Sequence, residues 1–246
     1  MEFPTLTCSV MTFKRPWYAL ITLYAILNCI KYSGPIKYMI ADGGSPEWQI
    51  EMYRHVLKDC SHEILIEHSG SVSNLMNAAV ERSGDIWIMA LDDFYPTVQM
   101  NMDEDVEFLL THPEVGHLRY ANMNGWDTPH LKIYAELKVM HHQHYWCIDK
   151  SRSHPNSLWT MGFSMMHRRM WDAYGPIPYV EPHQPGKVEN MLNSQFANID
   201  GPTVATPMRV WEESGLALPL YQTIAHVGHV RTDEYTNLWS QRWGAT

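Results

Sequence analysis

Short apolar runs bounded by polar turns set the frame of the first half of the chain. Leu6 to Phe13, Ile36 to Ala41, Glu63 to Glu67 and Ile86 to Leu91 are each rich in β-forming side chains and each closes on a turn, the pattern of strands buried on both faces of a sheet. Between them the pattern becomes helical. Trp17 to Ile30 carries no charge and reads as a buried helix, and Val72 to about Arg82 reads as another, ending near Gly84. Ser45 is a candidate N-cap with Pro46 at the first helical position, for a helix running to about Leu57. Strands alternating with helices predict an α/β fold, a mostly parallel central sheet with helices on both faces.

Beyond Asp93 the alternation dissolves, which predicts a second half of mixed build. Asn101 to His112 is an expected helix rich in acid. Val115 to Tyr120 and Leu131 to Ile148 carry the side chains of strands or hairpins. Gly162 to Met166 is an expected strand that leads into a helix at His167 to Tyr174, terminated by Gly175-Pro176. Lys187 to Ala197 is a further helix, after the loop Pro182-His183-Gln184-Pro185-Gly186. No segment has the composition of a linker, so a single domain over residues 1–246 is expected.

Composition narrows the class. Hydrophobic residues at 45% and charged residues at 18% are those of a globular protein. Eighteen basic against 27 acidic residues give a net charge of −9, a field that on average repels nucleic acid and anionic membrane. The segment holding His141, His142, His144, Lys150, Arg152 and His154 is locally basic and could meet a nucleic acid, against the simpler reading of a solvated loop. Ten Trp and 13 Tyr suit stacking on sugars or bases as well as filling a core. Cys8, Cys29, Cys60 and Cys147 lack the spacing of a zinc site or a disulfide framework. They are expected as reduced thiols of a cytoplasmic protein. Trp17 to Ile30 is too short to span a bilayer, and no cleavage site follows Lys14-Arg15, so no membrane partner is expected.

The chemistry gathers at strand ends. Leu91-Asp92-Asp93 puts two adjacent carboxylates where open α/β sheets bind ligands. Oxygen donors of that kind suit a hard divalent cation. Asp42 closes the second strand, and Gly43 and Gly44 let a ligand approach the backbone closely. Lys14 and Arg15, just after Thr12 at the end of the first strand, supply cations for a base or a diphosphate.

Taken in order, Phe13-Lys14-Arg15-Pro16, Ala41-Asp42-Gly43-Gly44-Ser45, Ser73-Asn74-Leu75-Met76-Asn77 and Leu91-Asp92-Asp93 resemble a GT-A glycosyltransferase, most of all the family-2-type group. The resemblance covers about the first hundred residues well. It extends more loosely through Met161-Gly162-Phe163 with Arg168-Arg169, Glu189 in Val188-Glu189-Asn190, and His226-Val227-Gly228-His229. It implies a Rossmann-like GT-A sheet plus a mixed acceptor-side layer. Residues 1–98 would be the nucleotide-sugar-binding half, 99–225 the acceptor-side half, and 226–246 the segment that closes the metal site.

The activity implied is metal-dependent transfer of a sugar from a nucleotide-diphosphate donor, UDP-linked by preference, to an acceptor hydroxyl with inversion. Thr12, Lys14, Arg15, Asp42, Gly43, Asn77 and Asp92 are then expected at the donor. Asp93 and His226 are expected to hold Mn2+ or Mg2+, with His229 second to His226. Glu189 is the expected general base and Glu181 its reserve; the family's second acid is replaced by Asn190. The acceptor would be a glycan or a hydroxymethylated base of phage-like DNA. Two other readings stay open. A sugar-phosphate nucleotidyltransferase would want a Gly-rich basic loop where this chain has Thr12-Phe13-Lys14-Arg15-Pro16. A carbohydrate- or nucleotide-binding module without catalysis would use the aromatic residues alone.

Overall fold

The alternating first half winds into a parallel sheet. In the computed structural model, which describes residues 2–120, 134–140, 143–148, 162–182, 185–210, 217–219 and 224–226, β1 (Leu6–Thr12) leads through α1 (Pro16–Cys29) and the short β2 (Ile30–Lys31) to β3 (Ile36–Asp42). Then follow α2 (Glu47–Leu57), β4 (His62–Ile66), α3 (Val72–Arg82) and β5 (Ile86–Leu91). β4, β3, β1 and β5 lie side by side in that order, all parallel. Thr12 pairs with Asp42 and Met11 with Leu91, so the turns that follow β1, β3 and β5 meet at one edge of the sheet.

The mixed half is built onto the β5 side of the same sheet. Its elements are β6 (Phe94–Pro96), β7 (Met100–Asn101), α4 (Asp103–Thr111), β8 (Val115–Arg119), β9 (Tyr134–Met140), β10 (Gln143–Ile148) and β11 (Phe163–His167). After these come α5 (Arg168–Tyr174), α6 (Pro185–Asn198), β12 (Thr203–Val210), β13 (Ala217–Pro219) and β14 (Ile224–His226). β11 adds antiparallel to β5, and β8, β12, β10 and β9 continue outward, with β13 on β12, to give ten strands. β6 pairs with β14, and β2 with β7, in two small ribbons.

The pleat sends successive side chains to opposite faces, and each face has its own core. Leu6, Cys8 and Val10 of β1 with Ile86, Ile88 and Ala90 of β5 pack under α1, α2 and α4. On the other face Met11, Met39, Met89 and Met166 meet Met76 of α3, Met170 of α5, and Val188, Leu192 and Phe196 of α6.

One expected cap is corrected. Helix α2 starts at Glu47, Pro46 precedes it, and no side chain caps it. The Ser45 hydroxyl instead accepts from the Lys14 N–H at 2.8 Å, tying the β3–α2 turn to the β1–α1 turn. Ser71 does cap α3, accepting from the Asn74 N–H. All four cysteines are free thiols, and burial pushes Cys8 up to about 12. Among the described residues no helix is long and apolar enough to cross a membrane.

Candidate active site

Asp92 and Asp93 follow β5 directly and are 4% and 6% exposed. Their backbone is fixed from two sides: the Asp92 N–H donates to the Met11 carbonyl (3.0 Å), and the Thr22 hydroxyl of α1 donates to the Asp92 carbonyl (2.7 Å). The Thr12 hydroxyl donates to Asp92 Oδ2 (2.8 Å). Arg15 reaches across from the end of β1 to both acids. Its Nη1 donates to Asp92 Oδ1 at 2.8 Å and to Asp93 Oδ2 at 3.2 Å, and its Nη2 also reaches Asp93 Oδ2 at 3.2 Å. The guanidinium lies over the Tyr18 ring, 4.4 Å from its centroid. Burial pushes the Asp92 carboxyl up to about 7; Arg15 and the Thr12 hydroxyl oppose the rise, and the neighbouring Asp93 adds to it.

The turns around this trio are over-determined. Lys14 sits in the left-handed region at φ 54, a conformation that a non-glycine residue holds only when its surroundings fix it. The Ser45 hydroxyl on its N–H is one such restraint. Gly43 donates to the Thr12 carbonyl at 2.9 Å, and a Cβ there would stand 3.1 Å from the Phe13 ring. Asp42 is fully buried, with Oδ1 accepting from the N–H groups of Gly44 (2.8 Å) and Ser45 (2.5 Å). Asp42, expected at the base of a nucleotide, shapes its own turn through Oδ1, while its buried Oδ2 has no hydrogen-bond partner among the described residues.

A glycine permits the packing beside the acids. The Gly162 carbonyl accepts from the Leu91 N–H, and a Cβ on Gly162 would come within 2.7 Å of the Phe94 ring. Phe94, just after Asp93, is therefore able to pack closely on Gly162, the residue before β11. His226 is brought to the same place by topology, because β14 pairs with β6 so that His226 stands opposite Phe94. Two adjacent carboxylates are oxygen donors that fit a divalent cation such as Mn2+ or Mg2+. No group of three or more His, Cys, Asp or Glu side chains is gathered among the described residues.

Other expected residues have protein partners of their own. Asn77, expected at the nucleotide, has both ends of its amide on the backbone of Ile177, donating to the carbonyl and accepting from the N–H at 2.9 Å each. Ser73 accepts from the Val180 N–H and Ser71 donates to the Val180 carbonyl. Together these fasten residues 177–181, including the exposed Glu181, to the start of α3 at the edge where β4 ends. Glu189 is half-buried on α6, between the buried Val188 and Leu192, and its carbonyl accepts from Asn193. Arg168 and Arg169 belong to the opposite edge. His167 pairs with Ile86 at the start of β5, Arg168 donates to the Ser83 carbonyl and Arg169 to that of Leu109. Met161, His141, His142, Lys150, Arg152, His154 and His229 lie outside the described residues, as do the side chains of His144 and His226.

Thr22, Tyr18 and Ser45 were not foreseen as parts of the site. The one local signal for Thr22 is a hydroxyl within an otherwise apolar helix; its partner is a carbonyl 70 residues away.

No family model and no curated protein matches the chain. Solved structures do match. The mannosyltransferase PcManGT from Pyrobaculum calidifontis, in complex with GDP-Man and Mn2+, aligns over 98% of this chain and 61% of its own, with a TM-score of 0.61 at 13% identity. TarS 1-349 of S. aureus in complex with UDP aligns over 97% of this chain and 63% of its own (TM-score 0.58, 13% identity). GalNAc-T7 with UDP, GalNAc and Mn2+ aligns over 93% and 44% (TM-score 0.55, 8% identity). The chain thus spans less than two thirds of the length of each. With a parallel β4-β3-β1-β5 half, a mixed half on its β5 side and these structural counterparts, the chain has the GT-A fold.

Proposed function

We propose that the chain is a glycosyltransferase that draws its sugar from a nucleotide-diphosphate donor and delivers it to an acceptor hydroxyl. The observation that carries this reading is the buried Asp92–Asp93 pair, counter-charged by Arg15, at the carboxyl edge of a GT-A sheet. Open α/β sheets bind ligands at that edge, and nucleotides with Mn2+ accompany two of the structures of this fold. UDP is the preferred nucleotide because two of the three compared structures hold it.

Each residue takes a role set by its place. Lys14, Arg15 and Gly43 line the turns that receive the diphosphate and base, and Asp92, oriented by Thr12, accepts from the ribose or the sugar. Asp93 and His226 hold Mn2+ or Mg2+. Such a cation stabilises the negative charge left on the departing nucleoside diphosphate. Glu189 takes the proton from the acceptor hydroxyl, which attacks the anomeric carbon opposite the leaving group, so the product is inverted. A glycan is the acceptor favoured here. The four free thiols suit a reducing compartment, the cytoplasm.

Calorimetry with UDP tests the reading. UDP should bind more tightly in Mn2+ than in EDTA, and Asp93→Asn should remove that difference. Equal affinity with and without the cation in the unaltered protein would overturn the metal assignment.

A further inference from the structure

Arg15 contacts one oxygen of each carboxylate, Asp92 Oδ1 and Asp93 Oδ2. The Asp93 oxygens are those that a cation held there would also address. When both carboxyls are ionised, they and the guanidinium sum to a single negative charge, so the pair retains attraction for a dication. A dication on the same oxygens repels the guanidinium and competes for its acceptors.

Asp92 does not depend on Arg15 for its position. Thr12 holds Asp92 Oδ2, and Met11 and Thr22 hold the Asp92 backbone, whichever way the Arg15 side chain points. The stem of Arg15 is equally fixed. Its carbonyl accepts from the Ala19 N–H in the first turn of α1, and the preceding Lys14 is locked by Ser45. Only the side chain is free to swing. It is 20% exposed, with the Tyr18 ring as its resting platform. A guanidinium fork matches phosphate oxygens as well as it matches carboxylates, and exposed Lys14 next to it adds a second cation for the same anion.

We propose that Arg15 is an exchangeable counter-ion: it neutralises Asp92 and Asp93 until a divalent cation takes Asp93, and it then turns its guanidinium to the donor diphosphate. The proposal rests on the metal and donor sites assigned above. It makes cation and diphosphate binding reciprocal partners, since each favours the state in which Arg15 has left the acids.

The test is Mn2+ binding followed by electron paramagnetic resonance in the absence of nucleotide, with UDP titrated separately in saturating Mn2+. Arg15→Gln should bind Mn2+ roughly tenfold more tightly than the unaltered protein and UDP roughly tenfold more weakly, a coupling of ordinary size. Tyr18→Leu, which removes only the resting platform, should tighten Mn2+ while leaving UDP affinity in Mn2+ as it was; it decides the matter if Arg15→Gln fails to fold. Mn2+ affinity unchanged or weakened in the folded variants, beside normal Mn2+ and UDP binding in the unaltered protein, would overturn the exchange and leave the transferase reading standing. No Mn2+ binding in any of the proteins would overturn both.

Discussion

Two acids placed side by side in a protein interior repel one another, and the fold answers with one guanidinium, one hydroxyl and two backbone bonds rather than with solvent. The acids themselves were legible in the sequence because a strand ending on adjacent aspartates leaves few alternatives. Their supports were not, since Thr22 and Arg15 meet Asp92 across 70 and 77 residues of chain. Asn77 shows the reverse: a residue type suited to a ligand, with its amide engaged by the Ile177 backbone. For Glu189 the expectation is specific. Glu189→Gln should leave UDP affinity nearly intact and lower turnover by roughly a hundredfold or more, the scale for losing a positioned base. Turnover and donor affinity measured in the same variant check it, with NMR of the unaltered enzyme's product reading the anomeric configuration.

Among elements, α3 does more than cover the sheet: through Ser71, Ser73 and Asn77 it fixes the segment that leads toward α6. Asn77→Ala should cost about 1–3 kcal/mol by stripping partners from the Ile177 backbone, while UDP affinity stays unchanged. A denaturant midpoint beside a UDP titration separates the two effects; a fall in UDP affinity would return Asn77 to the donor site. Strand β8 carries a pH response of its own. His117 is fully buried, and burial, with Arg119 adding, lowers it from the usual 6.5 to about 3. The unfolded chain takes up this proton below pH 6.5 and the folded chain does not. Stability is therefore unaffected by His117 above that pH and falls by about 1.4 kcal/mol per unit below it, toward pH 3. His117→Leu should flatten the acid limb of a plot of denaturant midpoint against pH.

The same scale explains which elements were legible. β1, β3, β4 and β5 are buried runs bounded by turns, and α1 to α3 carry helical spacing between them. β12 escaped notice because Pro207, opposite Tyr145, stands in mid-strand, where a proline usually argues against a strand. β2, β6, β7, β13 and β14 span only two or three residues each, too short for any period to show.

At the scale of the molecule, one sheet carries both halves, so a ligand at the edge shared by the β1, β3 and β5 turns stabilises the whole. With UDP and Mn2+ at about a hundred times the dissociation constant, binding should add about 2.7 kcal/mol, a rise of roughly 5–10 °C in thermal midpoint for a chain of this size. Calorimetric scans with and without Asp93→Asn check it. The two faces of that sheet are bedded in different materials. Beneath α1, α2 and α4 lie mainly leucine, isoleucine and valine, with Met100, Met102 and Met165 among them, whereas the layer that joins α3, α5 and α6 to the sheet gathers the thioethers of Met11, Met39, Met76, Met89, Met166 and Met170. Thioethers are pliant and polarisable, and they can be oxidised to polar sulfoxides. The helix that bears Glu189 thus lies on bedding that yields in small adjustments, while the helix that holds Thr22 lies mainly on stiffer branched side chains.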